Sequence, residues 1–126
     1  MKIYAVDVTR EGKWWMVSIP ELDGLTQARR FSEAELMARE FIAVDTGTPI
    51  ADVAVSVSVA VGAISDAGAR ADEIRREREQ AAELEARVLA ESKRLAHDLA
   101  AQQVPVRDIG ELLGVTFQRA SQLVNS

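Results

Sequence analysis

Between Thr116 and Gln122 the segment TFQRASQ sets hydrogen-bonding side chains at helical spacing, with Gln118 and Gln122 one turn apart, Arg119 and Ser121 between them, and Thr116 and Phe117 in front. Glutamine can pair with two atoms of an adenine edge, arginine with guanine or a phosphate, and a hydroxyl with phosphate oxygens, while an aromatic ring can meet a thymine methyl group. Thr116, Phe117, Gln118, Arg119, Ser121 and Gln122 therefore have the side-chain types needed to read the major groove of double-stranded DNA. Phe117 has a second explanation, packing back onto the helix predicted over residues 92–103.

Such a helix needs a partner and a turn to aim it. Gly114 follows an apolar helix end at Leu112 and Leu113, where a positive φ closes the helix without steric cost. Val115 is expected to point inward and Thr116 to cap a second helix running from Phe117 to about Val124. Folded across Gly114, the side chains of Ile109, Leu113, Val115, Ala120 and Leu123 form one apolar cluster, with Gly110 and Ala120 small enough to let the two helices approach. That spacing predicts a helix-turn-helix. The plainer alternative is a helical hairpin that only caps a bundle.

The whole chain constrains this reading. Its 126 residues suffice for one ordinary domain or two small ones joined by a helix. Only 5% are aromatic, so any core is built mainly from Ala, Val, Leu and Ile. There is no cysteine, which excludes disulfides, thiolate metal sites and a cysteine nucleophile. The net charge of −5 works against DNA affinity, which depends on neutralising phosphates. Residues 1–63 carry six basic against nine acidic groups, residues 64–103 seven against nine, and residues 104–126 two of each. A neutral C-terminal segment predicts modest affinity per subunit and more than one copy on DNA, as a homodimer or higher homo-oligomer. Met1 and Lys2 lead straight into a strand pattern without the features of a secretory signal, and no run approaches the roughly 18 apolar residues of a membrane span. A cytoplasmic location without a membrane partner is expected.

The N-terminal half reads as a sandwich. Residues 3–9 alternate, with Tyr4, Val6 and Val8 on one face, residues 10–13 turn around Gly12, and residues 14–19 return. Pro20 ends the hairpin and a short third strand follows from Leu25 to Ala28 or Arg29. Ser32 with Glu35 has the form of a capping box, predicting a helix from Glu33 whose Ala34, Met37, Ala38, Phe41 and Ile42 share one stripe. Gly47 and Pro49 close it. Val53, Val55, Val57, Val59 and Val61 then alternate with Ala54, Ser56, Ser58 and Ala60, a strand with one valine face.

From about residue 65 to residue 103 the chain is rich in Ala, Glu and Arg, with Asp72–Arg76 and Glu83–Arg87 at favourable helical spacing. Ile74, Ala81, Val88 and Leu95 recur every seven residues, with Leu84 and Leu99 as partial partners, yet Glu77, Glu91 and Asp98 interrupt the seam. A solvated rod and a dimer coil are both open on this pattern. The expected fold class is α+β: a βββαβ unit over residues 1–62, a helical linker over 63–92 and a helix-turn-helix domain over 93–126.

With that order established, the chain resembles the HicB-like antitoxins. The residues that carry the resemblance are Tyr4 to Val8, Trp14 and Trp15, the loop SIPELDGLTQARR over 18–30, and the helix opening SEAELMAREFIA over 32–43. The resemblance implies a partial RNase H-like fold without catalysis, binding of a small HicA-like ribonuclease toxin, oligomerisation, and repression of its own promoter at a palindromic operator. The other readings are a solitary HicB-fold regulator, or a protein-interaction module, with no cognate toxin.

An RNase H-like fold raises the question of nuclease activity, which would need converging carboxylates around metal ions. Asp7 is the one acid placed mid-strand, while Glu21, Asp23, Asp45 and Asp52 fall in loops or at element ends. His97, the only histidine, has no ligand partner at metal-binding spacing. No enzyme activity, metal or cofactor is therefore expected. Adjacent strand residues face opposite sides, so Trp14 and Trp15 cannot both enter one core. One of them is expected on an outer face as a partner or oligomer contact, unless the long helix covers it. Arg29 and Arg30 beside Gln27 fit either an RNA contact or a solvated strand end.

Overall fold

Alternating apolar side chains build the first three strands of the computed structural model, which describes residues 1–126. These are β1 (Ile3–Glu11), β2 (Trp14–Ile19) and β3 (Gly24–Ala28), followed by helix α1 (Ala34–Thr46) and strand β4 (Ala54–Ala60). The sheet order is β3-β2-β1-β4; β1 and β3 are antiparallel to β2, and β4 runs parallel to β1. β3 and β4 thus run in the same direction at opposite edges, a connection that requires a crossover, and α1 supplies it. The protein is α+β, with a long helix α2 (Ala67–Ala101) and two short helices, α3 (Val106–Leu113) and α4 (Phe117–Val124), completing the chain. It divides into two compact units, Met1–Arg75 and Arg76–Ser126. No helix is long and apolar enough to cross a membrane.

In the first unit the register explains the core. Val8 lies opposite Val17 and beside Val59, and Val6 lies beside Val57, so these side chains share one sheet face. Val6, Val8, Val17 and Ile19 on that face are fully buried with Ala38 and Ile42 of α1, each large side chain contributing about 1.5–3 kcal/mol through burial. Gly24 belongs to this packing, since a Cβ there would collide with the Phe41 ring. The opposite sheet face is uncovered: Ile3, Asp7, Thr9, Leu25, Ser56 and Ser58 are all exposed.

Two local expectations need correction. β1 continues to Glu11 instead of stopping at Thr9, because Arg10 and Glu11 pair with Trp15 and Trp14 and leave only Gly12 and Lys13 to turn. Gly12, at φ 57°, supplies the backbone that so short a hairpin turn requires. The capping box does not form. Residues 31–33 wind into a 3-10 turn, α1 starts at Ala34 without a side-chain cap, and Glu35 pairs instead with Arg39 at 3.1 Å. On α2, Asp72 pairs with Arg75.

α2 is a single helix of 35 residues. Gly68, near its start, passes close to β4, where a Cβ would lie 2.9 Å from the Val59 nitrogen. Its far end closes at Gln103, whose φ of 68° is left-handed. There the Gln103 N–H donates to Ala100 O at 3.0 Å and the Val104 N–H to Leu99 O at 3.1 Å, satisfying carbonyls that a helix end leaves open.

Candidate nucleic-acid interface

The second unit is a three-helix arrangement around a small core. Ala96 from α2, Ile109 from α3, and Ala120 and Leu123 from α4 are buried, with Leu99, Val104, Val106 and Leu113 packed around them. Two small residues make the crossing of α3 and α4 possible. A Cβ on Gly110 would stand 3.0 Å from the Val115 carbonyl and 3.5 Å from the Ala120 Cβ, so the turn and α4 lie directly against the α3 backbone.

Gly114 ends α3 with φ 72°, and the Val115 N–H returns to Gly110 O at 2.9 Å. This closure turns the Val115 backbone toward α3, and its side chain does not point inward as the spacing predicts. Val115 is 36% exposed and lines a groove with Leu84 and Val88 of α2. The inward place is filled by backbone because Gly110 leaves room for nothing larger.

Thr116 caps α4: its hydroxyl accepts from the Arg119 N–H at 3.1 Å. With Ala120 and Leu123 buried, the opposite side of α4 is committed to solvent. Phe117 is 64% exposed and so does not pack back on α2; Gln118 and Gln122 beside it are also exposed. Arg119 sits on the flank and donates to Gln122 Oε1 at 3.3 Å, so its guanidinium and that amide act as one hydrogen-bonding pair. Ser121 is half-buried, and Asn125 donates to its carbonyl oxygen at 2.8 Å and to its hydroxyl at 3.3 Å, closing the helix end. The structure therefore brings Phe117, Gln118 and Gln122 together as an exposed face, keeps Thr116 and Arg119 at its border, and engages Ser121 in closing the helix. Arg107, exposed on α3 in the same unit, is a further cation. Turn and cap signals do not single it out, because only the folded helix pair relates it to α4.

The tryptophans separate as adjacent strand residues must. Trp15 lies on the α1 side of the sheet, half-buried, where it meets the Phe31 ring edge-on at 5.3 Å and lies under the Arg10 guanidinium at 5.0 Å. Trp14 lies on the uncovered face, 36% exposed, with the Arg29 guanidinium 5.2 Å from its ring centre. Arg29 is thereby placed over an aromatic face. Asp7 stands on the same open face, paired in register with Ser18 and Ser58 rather than with another acid. No group of three or more His, Asp or Glu side chains is arranged to hold a metal ion.

Comparisons with protein-family models, with curated proteins and with solved structures give no match to this chain.

Proposed function

We propose that this protein is a DNA-binding transcriptional regulator of the HicB-like antitoxin type, which represses its own promoter and neutralises a small ribonuclease toxin by binding it. The observation that carries the DNA-reading part is the α4 face. Phe117, Gln118 and Gln122 stand exposed on a capped helix whose other side is held by Ala120 and Leu123. Glutamine amides held this way can address base edges, while the Thr116 hydroxyl and Arg119 are near enough to the border to meet phosphates. The antitoxin part is supported by the β-β-β-α-β order, which is the order expected of a partial RNase H-like domain, and by the open sheet face that carries Trp14. Catalysis is not part of the proposal, because Asp7 has serines and not carboxylates as its strand neighbours.

The test of DNA reading is a mobility-shift titration on the protein's own promoter. Gln118→Ala and Gln122→Ala should each weaken binding by about 1–3 kcal/mol, roughly 5- to 150-fold, with little change on unrelated DNA. The test of the toxin is co-purification with the product of the neighbouring reading frame. A protein-interaction module is the second reading, favoured by the acidic net charge of −5. It calls for no promoter binding at any salt concentration.

A further inference from the structure

Outside the reader face, α2 carries an apolar stripe. At about 100° per residue, Ile74, Ala81, Leu84 and Val88 fall within a narrow arc. Ile74, Leu84 and Val88 are 57%, 54% and 54% exposed. In the second unit the stripe widens into a groove, where Leu84, Val88 and Leu89 face Val115 and Leu123 across Ser92. Large apolar side chains repeated along a solvated helix are a recognition surface for another helix.

Two ways of seating a second copy on this stripe differ in their electrostatics. In a parallel pair each position meets itself, so Glu77 faces Glu77 and Glu91 faces Glu91 inside the seam, where like charges repel. An antiparallel pair, with its two-fold axis between Ala81 and Leu84, removes both clashes. Ala81 of one copy meets Leu84 of the other. On the flanks Arg78 meets Glu85, and Glu73 comes to the level of Arg94, so every such contact between ionised groups is between opposite charges. Ile74 of one copy then stands at the level of Glu91 in the other, one residue short of Ser92, where the groove beside Val115 begins.

We propose that residues 74–94 of α2 pair antiparallel with the same segment of a second copy, Ile74 of each seating in the groove beside Val115 of the other. The occupant of the groove is thus this chain itself. The proposal rests on the DNA-reading assignment in one respect, the use of two copies, and it fits that use. Residues 92 to 96, beside which α4 and the reader core lie, stand 10 to 14 residues from the axis. The two readers are therefore about 30–40 Å apart along the pair, near the 34–36 Å between half-sites one turn apart.

The absence of cysteine permits a direct test. Under mild oxidation, a 1:1 mixture of the full-length Ala81→Cys and Leu84→Cys variants gives a disulfide-linked dimer, and so does the chain carrying both changes; either single variant alone stays unlinked. Single variants that link to themselves as efficiently as the mixture show a parallel pair and overturn the proposal. A mixture that forms no disulfide overturns it too, whatever the oligomeric state of the wild type. Val88→Glu is the companion variant: it retains its helical circular dichroism but sediments as a monomer, and a dimer that survives the change contradicts the assignment of the stripe. Cross-linking without promoter binding removes the reader and leaves the pair. Promoter binding without cross-linking does the reverse.

Discussion

The two units reach a folded state by different means. In Met1–Arg75 a four-stranded sheet lays Val6, Val8, Val17 and Ile19 against Ala34, Ala38 and Ile42, so many buried contacts share the load. In Arg76–Ser126 the buried set is Ala96, Ile109, Ala120 and Leu123, and two of these four are alanines. Helices of eight residues such as α3 and α4 are not stable alone in water. They depend on close approach, on caps and on two large side chains, Ile109 and Leu123. The contrast shows how α4 can be exposed on one side yet held in place: Ala120 and Leu123 on its other side are used for attachment.

The largest effect that would sharpen the contrast is Ile109→Ala. Removal of a fully buried isoleucine costs about 2–5 kcal/mol, which the small core has little capacity to absorb. Amide exchange should show residues 104–126 losing protection while β1, β2 and α1 keep theirs. Equal loss in both units would break the comparison. Next comes Thr116→Ala, which removes the bond to the Arg119 N–H and should lower the stability of the second unit by about 1 kcal/mol, seen as earlier thermal melting of α4. The smallest effect has the opposite sign. Gln103→Gly relieves a left-handed residue at the end of α2 and should raise the melting temperature by an amount corresponding to about 0.5–1 kcal/mol; a lower one would mean that the Gln103 side chain supports the turn.

Much of this architecture is legible in the chain because the deciding interactions are local. Alternating valines announce β4, and Gly114 followed by Thr116 marks the turn before α4, where φ is 72° and the threonine hydroxyl caps the helix. What is not legible depends on distant contacts. Ser32 and Glu35 have capping-box spacing, but Phe31 is drawn to the edge of Trp15 and the backbone there winds as a 3-10 turn. Gln103 closes α2 without the glycine that would advertise it. The inward pattern around Gly114 includes Val115, yet the close passage at Gly110 admits the Val115 backbone and turns its side chain toward α2. Which tryptophan is covered follows from strand register and α1, and Trp14 is identified as the one on the open face only once both are known.

The central claim is that α4 reads DNA. The most direct measurement is the affinity for the protein's own promoter as a function of salt, for the wild type, Gln118→Ala and Gln122→Ala. The expected result is wild-type binding that weakens linearly with the logarithm of salt concentration, with both variants weaker on the promoter at every salt concentration and unchanged on unrelated DNA. Identical promoter binding by all three proteins, or none by the wild type at low salt, would contradict it.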